Sequence, residues 1–283
     1  MQILQKPIWL IIAVFLIVII LRISKKYILK MLPEKKVKEY VPREKIGKKT
    51  KIIVAVCIIL VPLIIWFGIT YLNARSNIFI GLSIIIVAMV PFFAAVEERN
   101  PPARELLIIA VMSAIAVVGR MAFFMIPQFK PMTAVVIITG IGLGSQAGFL
   151  TGTIAAFVSN FFFGQGPWTP WQMFCLGIIG FIAGLLFYKK VPNELRDTKW
   201  RLKRKIYLCI YGGLATFFIY GIIMDLSGVI SFNSSPTKEM ILSVLISGVP
   251  FNIIHAVSTI IFLAIMAEPI EKKLDRVIKK FGI

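Results

Sequence analysis

Residues 119–172 read GRMAFFMIPQFKPMTAVVIITGIGLGSQAGFLTGTIAAFVSNFFFGQGPWTPWQ. Most of this stretch is apolar enough for lipid. Two polar, aromatic-rich turns interrupt it, at residues 120–131 and 160–172. Membrane helices satisfy their backbone hydrogen bonds internally and ask little of the segments that join them. These turns nevertheless carry Arg120, Gln128, Lys130, Asn160, Gln165 and Gln172, set among Phe, Pro, Trp168 and Trp171. The pattern predicts apolar helices with a binding site gathered at one membrane face.

The rest of the chain agrees. It has 283 residues, 58% of them hydrophobic, and a mean hydropathy of +0.88. Several apolar runs reach the roughly 17–25 residues that a bilayer-spanning helix needs. Regular alternation, the mark of a membrane barrel, is absent. The fold class is therefore an all-α polytopic membrane protein. Cys57, Cys175 and Cys209 all lie inside apolar runs, with no CxxC pair and no Cys/His cluster, and imply neither disulfide nor metal.

The net charge of +19 would suggest nucleic acid in a soluble protein. Here its placement reads as topology. Nine spans are expected, at about residues 8–21, 52–72, 78–96, 105–125, 132–145, 147–163, 171–188, 206–225 and 240–267. With the N-terminus outside, the segments 22–51, 97–104, 189–205 and the tail from Glu268 fall on the cytoplasmic side together. They hold 27 of the 32 basic residues, as the positive-inside rule requires. The C-terminus is then cytoplasmic, both turns of the opening stretch face outward, and nucleic acid is not a partner. EERNPPAR, residues 97–104, reads as a joint between a three-span extension (1–100) and a six-span unit (101–283).

Individual residues are expensive where they sit. Arg120 lies about 21 Å along its helix from Leu106, short of the ~30 Å hydrocarbon thickness. A cation at that depth marks a site unless it snorkels to the headgroups. Lys130 and Gln128 either anchor the interface or contact ligand. Asn160 either pairs across helices or, beside GQGPWTPWQ, meets a ligand. Trp168 and Trp171 form an interfacial belt or, with Gln165, Gln172 and two stiffening prolines, a lid over a flat or aromatic ligand. Asp225 could pair with Arg120 or Lys238. Asn252 lies near mid-membrane, two residues past Pro250, which should kink its helix. His255 is deeper, and alone makes neither a metal site nor a triad.

Ala110 and Ala114 form a small-xxx-small face, and Gly140, Gly144, Gly148 and Gly152 repeat at spacing four; such faces let helices approach closely. The GxGxG within the glycine run has no preceding strand and is no phosphate loop. HExxH, GxSxG, paired intramembrane aspartates and a P-loop are all missing, so any ATP-driven work belongs to a partner.

Residues 104–283 resemble the substrate-binding membrane subunit, or S component, of energy-coupling factor (ECF) transporters. The resemblance rests on six spans beginning and ending in the cytoplasm, Ala110-Val-Met-Ser-Ala114 in the first of them, GQGPWTPWQ between the third and fourth, and the exit Glu268-Pro-Ile-Glu-Lys-Lys-Leu. It implies a six-helix bundle with no enzymatic activity and no cofactor of its own; the three extra spans that precede it here, in residues 1–100, depart from the family's minimal six-helix unit. It further implies vitamin capture from outside, docking through Ala110 and Ala114 on a transmembrane coupling subunit with two ATPases, and tipping within lipid to release ligand. The expected ligand contacts are Arg120, Gln128, Lys130, Asn160, Gln165, Trp168, Trp171, Gln172 and Asn252. Few net charges and many aromatics at the outer site favour a bulky, largely uncharged ligand; among the vitamins that the resemblance implies, a cobalamin-like one fits best. A stand-alone secondary transporter, a membrane enzyme using His255 with Glu97 and Glu98, and an assembly factor are the competing readings.

Overall fold

The computed structural model describes residues 47–71, 77–188, 198–233 and 236–281. The first expected span, residues 8–21, and most of the basic segment after it lie outside these. The described chain from Gly47 onward belongs to one compact unit and contains helices but no strand. The helices are α1 (Lys48–Tyr71), α2 (Asn77–Arg99), α3 (Ala103–Ala122), α4 (Met132–Leu143), α5 (Ser145–Phe163), α6 (Thr169–Phe187), α7 (Thr198–Leu214), α8 (Ile222–Phe232) and α9 (Lys238–Phe281), with a π-helical segment, Ala215–Gly221, joining α7 to α8. Six stretches are long and apolar enough to cross a bilayer: α2, α3, α5, α6, α7 through α8, and α9.

Helix α4 differs from the spanning helix expected at 132–145. It has 12 residues, about 18 Å, too short for the ~30 Å of hydrocarbon. It can be short because lipid never meets it. It contacts α3, α5, α6, α7 and α9, and Val135, Val136, Ile137 and Ile138 have no exposed surface. Gly144, at φ 107°, ends α4 and opens directly into α5, a backbone conformation that glycine adopts without penalty.

The glycine repeat is where backbones meet. A Cβ on Gly140 would lie 2.2 Å from the Gly180 carbonyl oxygen, one on Gly148 2.4 Å from the same atom, and one on Gly180 2.4 Å from the Gly148 carbonyl oxygen. Helices α4, α5 and α6 therefore pack at a separation only hydrogen side chains permit. Gly180→Val pushes rigid backbone rather than a yielding side chain. It should destabilise the protein by about 1–3 kcal/mol, read as a lower thermal midpoint in detergent.

Helix α2 packs on α5, α6 and α8. Phe92 stacks on Phe149 at 4.5 Å and meets Phe181 edge-on at 4.9 Å. Glu98 in its last turn accepts the backbone N–H groups of Lys49 and Thr50 at 3.2 and 3.1 Å, and so caps α1. Across the Pro101–Pro102 joint, Arg99 pairs with the buried Glu105. At the same end, Arg204 of α7 grips Glu271 of α9 with two bonds of 2.7 Å and donates a third, 3.4 Å, to the Phe187 carbonyl ending α6. That fork is the geometry in which a partly buried ion pair is strongest. Helix α9 runs 44 residues without a break, through both Pro250 and Pro269. The segment after Glu268, expected as a tail, continues the helix to Phe281. Its length, about 66 Å, carries it well beyond one bilayer.

Candidate functional site

At the opposite end of the bundle, three helix termini converge. Arg120 occupies the last turn of α3, Ser159 and Asn160 the last turn of α5, and Thr169 and Gln172 the first turn of α6. Gly164, at φ 96°, stops α5, and Pro170 suits the first turn of α6, where an N–H would be idle. Arg120 Nη1 donates to Ser159 Oγ at 2.6 Å and to Asn160 Oδ1 at 2.9 Å. Asn160 Nδ2 donates onward to Thr169 Oγ1 at 3.0 Å and Gln172 Oε1 at 2.9 Å. Thr169 donates to Gln165 Oε1 at 2.9 Å and accepts the Gly166 N–H at 3.3 Å. Asn160 is buried, and its amide is fully used in orienting the cation and the turn. Phe163 lies 4.5 Å beneath the Arg120 guanidinium, a cation–π contact.

The turn at residues 123–131 forms the second half. Ser258 of α9 accepts the Lys130 N–H at 2.8 Å and donates to the Lys130 carbonyl at 3.1 Å, pinning the turn. Gln128 adopts φ 57°, uncommon for a residue with a side chain and a mark of functional sites. Its Oε1 accepts from Lys130 Nζ at 3.2 Å. The ammonium lies 5.9 Å from the Tyr220 ring. Tyr220 comes from the π-helical segment, a feature frequent at functional sites because the extra residue re-aims side chains. It meets His255 edge-on at 4.8 Å, and His255 Nε2 lies 3.0 Å from Thr133 Oγ1. Phe123, Phe129 and Phe262 form an aromatic wall, with centroids 5.1–5.8 Å apart. Lys130 lies outside the spans, and burial pushes its ammonium down to about 7, with the Arg120 charge acting the same way.

The residues expected from sequence separate into groups. Arg120, Asn160, Gln165 and Gln172 form one hydrogen-bonded network, and Gln128 and Lys130 form a pair. Asn252 faces the π segment, its amide against Gly221, and donates to Asp225 Oδ2 at 2.8 Å. Asp225 therefore pairs with an amide, not with Arg120 or Lys238 as the sequence suggested: α8 does not pack on α3, and the part of α9 that meets Asp225 is the turn of Gly248 and Asn252, well beyond Lys238. Trp168 donates its indole N–H to the Gly164 carbonyl at 3.4 Å and lays its ring on Gly166. Trp171 instead reaches α2, where its ring approaches the Gly81 Cβ position to 3.1 Å. Its buried indole N–H has no partner among the described residues. Ser159, Thr169, Ser258 and Tyr220 escaped the sequence reading. Ser159 and Thr169 flank residues already singled out, but Tyr220 and Ser258 belong to helices about 100 residues away.

On α3 the buried face is Glu105, Ile109, Met112, Ser113, Ala116 and Val117. Ala110 and Ala114 lie on the other face, exposed with Leu107, Val111 and Val118.

The profile of the family described as "ECF-type riboflavin transporter, S component" matches residues 102–272, from the start of α3 far into α9. This chain belongs to that family. Every site residue lies within the matched segment, while α1 and α2 precede it. UPF0397 proteins are similar to it in sequence: one of Aliivibrio salmonicida is 28% identical over 50% of this chain and 73% of its own. One of Vibrio atlanticus is 31% identical over 37% of this chain and 59% of its own, and one of Aliivibrio fischeri 32% identical over 35% and 58%. The chain thus spans less than two thirds of the latter two. No solved structure matches it. Membership makes the protein a substrate-binding subunit of a membrane transporter, a role that is not itself enzymatic.

Proposed function

We propose that the protein captures a vitamin or related micronutrient outside the cell and hands it to an ATP-driven ECF importer. The carrying observation is the network from Arg120 through Asn160 to Gln172, which gathers three helix ends at one face of the bundle. The residues of the positive-inside count crowd the other face, around Arg99, Arg201, Arg204 and Lys272, which supports an outward site and a cytoplasmic C-terminus. Residues 101–283 act as the binding unit and residues 1–100 as an extension. The exposed Ala110 and Ala114 dock on the coupling subunit, and two ATPases supply the energy. The family description names riboflavin, and the aromatic wall of Phe123, Phe129 and Phe262 suits a conjugated ring of that kind or the larger cobalamin-like ligand.

Uptake in cells that make the coupling subunit and ATPases tests this reading. Uptake should require all the partners and stop when ATP hydrolysis is blocked. Uptake by this protein alone in ATP-free vesicles would replace the reading with a stand-alone transporter. Trp168→Ala should weaken substrate binding by roughly 1–3 kcal/mol, measured by titration of the purified protein; an unchanged affinity would reduce Trp168 to an interface anchor.

A further inference from the structure

Two cations face the site, and neither meets an acid. The bonds of Arg120 go to Ser159 and Asn160, and its ring contact is Phe163. The side-chain bond of Lys130 goes to Gln128. All of these partners are neutral. The carboxylate of Asp225, on the neighbouring α8, is held by Asn252. Among the described residues no ion pair involves Arg120 or Lys130, whereas the cations at the opposite end find Glu97, Glu105, Glu268 and Glu271. The contrast is informative because a half-buried charge without a counter-charge is costly. The protein nevertheless spends Asn160, Ser159, Gln128 and a left-handed backbone at Gln128 on holding these two groups in place.

We propose that the seat between Arg120 and Lys130 receives an anionic group, a carboxylate or phosphate, carried by a soluble substrate with an aromatic or conjugated body. The guanidinium offers donors that the network leaves free, and a planar carboxylate or a phosphate is the shape those donors fit. Burial and the Arg120 charge both disfavour the Lys130 ammonium, and an arriving anion offsets that cost. The Phe123–Phe129–Phe262 wall borders the turn that carries Lys130 and receives the ring. This inference deepens the substrate-capture reading and rests on it for the ligand being a transported molecule. It also revises the largely uncharged ligand expected from sequence, since counting net charge could not reveal that both cations are left unpaired.

The experiment uses the full chain in a neutral detergent in three forms: wild type, Lys130→Met and Lys130→Arg. Without ligand, Lys130→Met should raise the thermal midpoint by a few degrees, because an uncompensated charge is gone; a lowered midpoint would overturn the inference. Benzoate should stabilise the wild type and Lys130→Arg at least about tenfold more effectively, by concentration, than benzamide, its uncharged counterpart. Lys130→Met should lose that preference. Equal effects of benzoate and benzamide on the wild type would overturn the inference. So would stabilisation by phosphatidylglycerol in the micelle without any by benzoate, which would make the seat a lipid headgroup site. None of these readouts uses partner subunits or uptake, so a failed transport assay with an intact benzoate preference would reject the importer reading alone.

Discussion

Replacing Ala110 and Ala114 together by Glu should abolish uptake while leaving substrate affinity within about twofold of the wild type. The two positions share the exposed face of α3 with Leu107, Val111 and Val118, so nothing in the folded unit has to move to admit the longer side chains. The binding network begins one to three turns further along, on the other side of the helix. Two carboxylates on a face that must pack against another helix in lipid carry a charge cost of roughly 2.5–3.5 kcal/mol each and block the close approach that small residues allow. Affinity is measured on the purified variant, uptake in cells with the partner subunits. Parallel loss of both would mean that the substitutions damaged the fold, and would remove the case for a docking face.

Asn160→Ala carries the second large effect, at the opposite end of the protein. Its amide accepts from Arg120 and donates to Thr169 and Gln172, and the residue is buried. Truncation leaves Gln172 and Thr169 short of a donor and frees the Arg120 side chain to leave the site. Each orphaned group costs about 1–3 kcal/mol. Substrate affinity should fall by at least two orders of magnitude, about 3 kcal/mol. Asn160→Asp separates the two jobs of the amide: it keeps an acceptor for Arg120 but supplies a carboxylate, which would neutralise the cation. If the cation serves an anionic substrate, Asn160→Asp should bind substrate no better than Asn160→Ala. Near wild-type affinity in Asn160→Ala would show the network to be structural only.

Of the residues ahead of the family segment, those of helix α2 meet the six-span unit directly. Helix α2 packs against α5, α6 and α8, and Trp171 lodges at Gly81. Neither α1 nor α2 covers Ala110 or Ala114. Helix α2 thus braces a side of the bundle other than the face assigned to docking, with α1 packed on it.

Much of this was legible in the chain. Apolar runs with polar turns forced an all-helical membrane fold, since lipid tolerates no unpaired backbone. Arg120, Lys130 and Asn160 stood out because polar groups are costly in apolar surroundings, and the structure places all three at one end. The glycine spacing announced a close helix contact, and the backbone oxygen of Gly180 is what occupies the space. Other facts needed the folded chain. That α4 is half-length followed from its neighbours shielding it on every side, which hydropathy cannot register. The pairing of Asp225 with Asn252, and the seating of Trp171 on α2 instead of beside Trp168, depend on which helices adjoin. Tyr220 and Ser258 looked like ordinary residues of apolar helices until a π-helical turn and the long α9 carried them to Lys130. Sequence determined which groups would be too costly to leave idle. Only the tertiary structure decided which of them meet, because contact between residues a hundred positions apart is set by helix packing and not by local pattern.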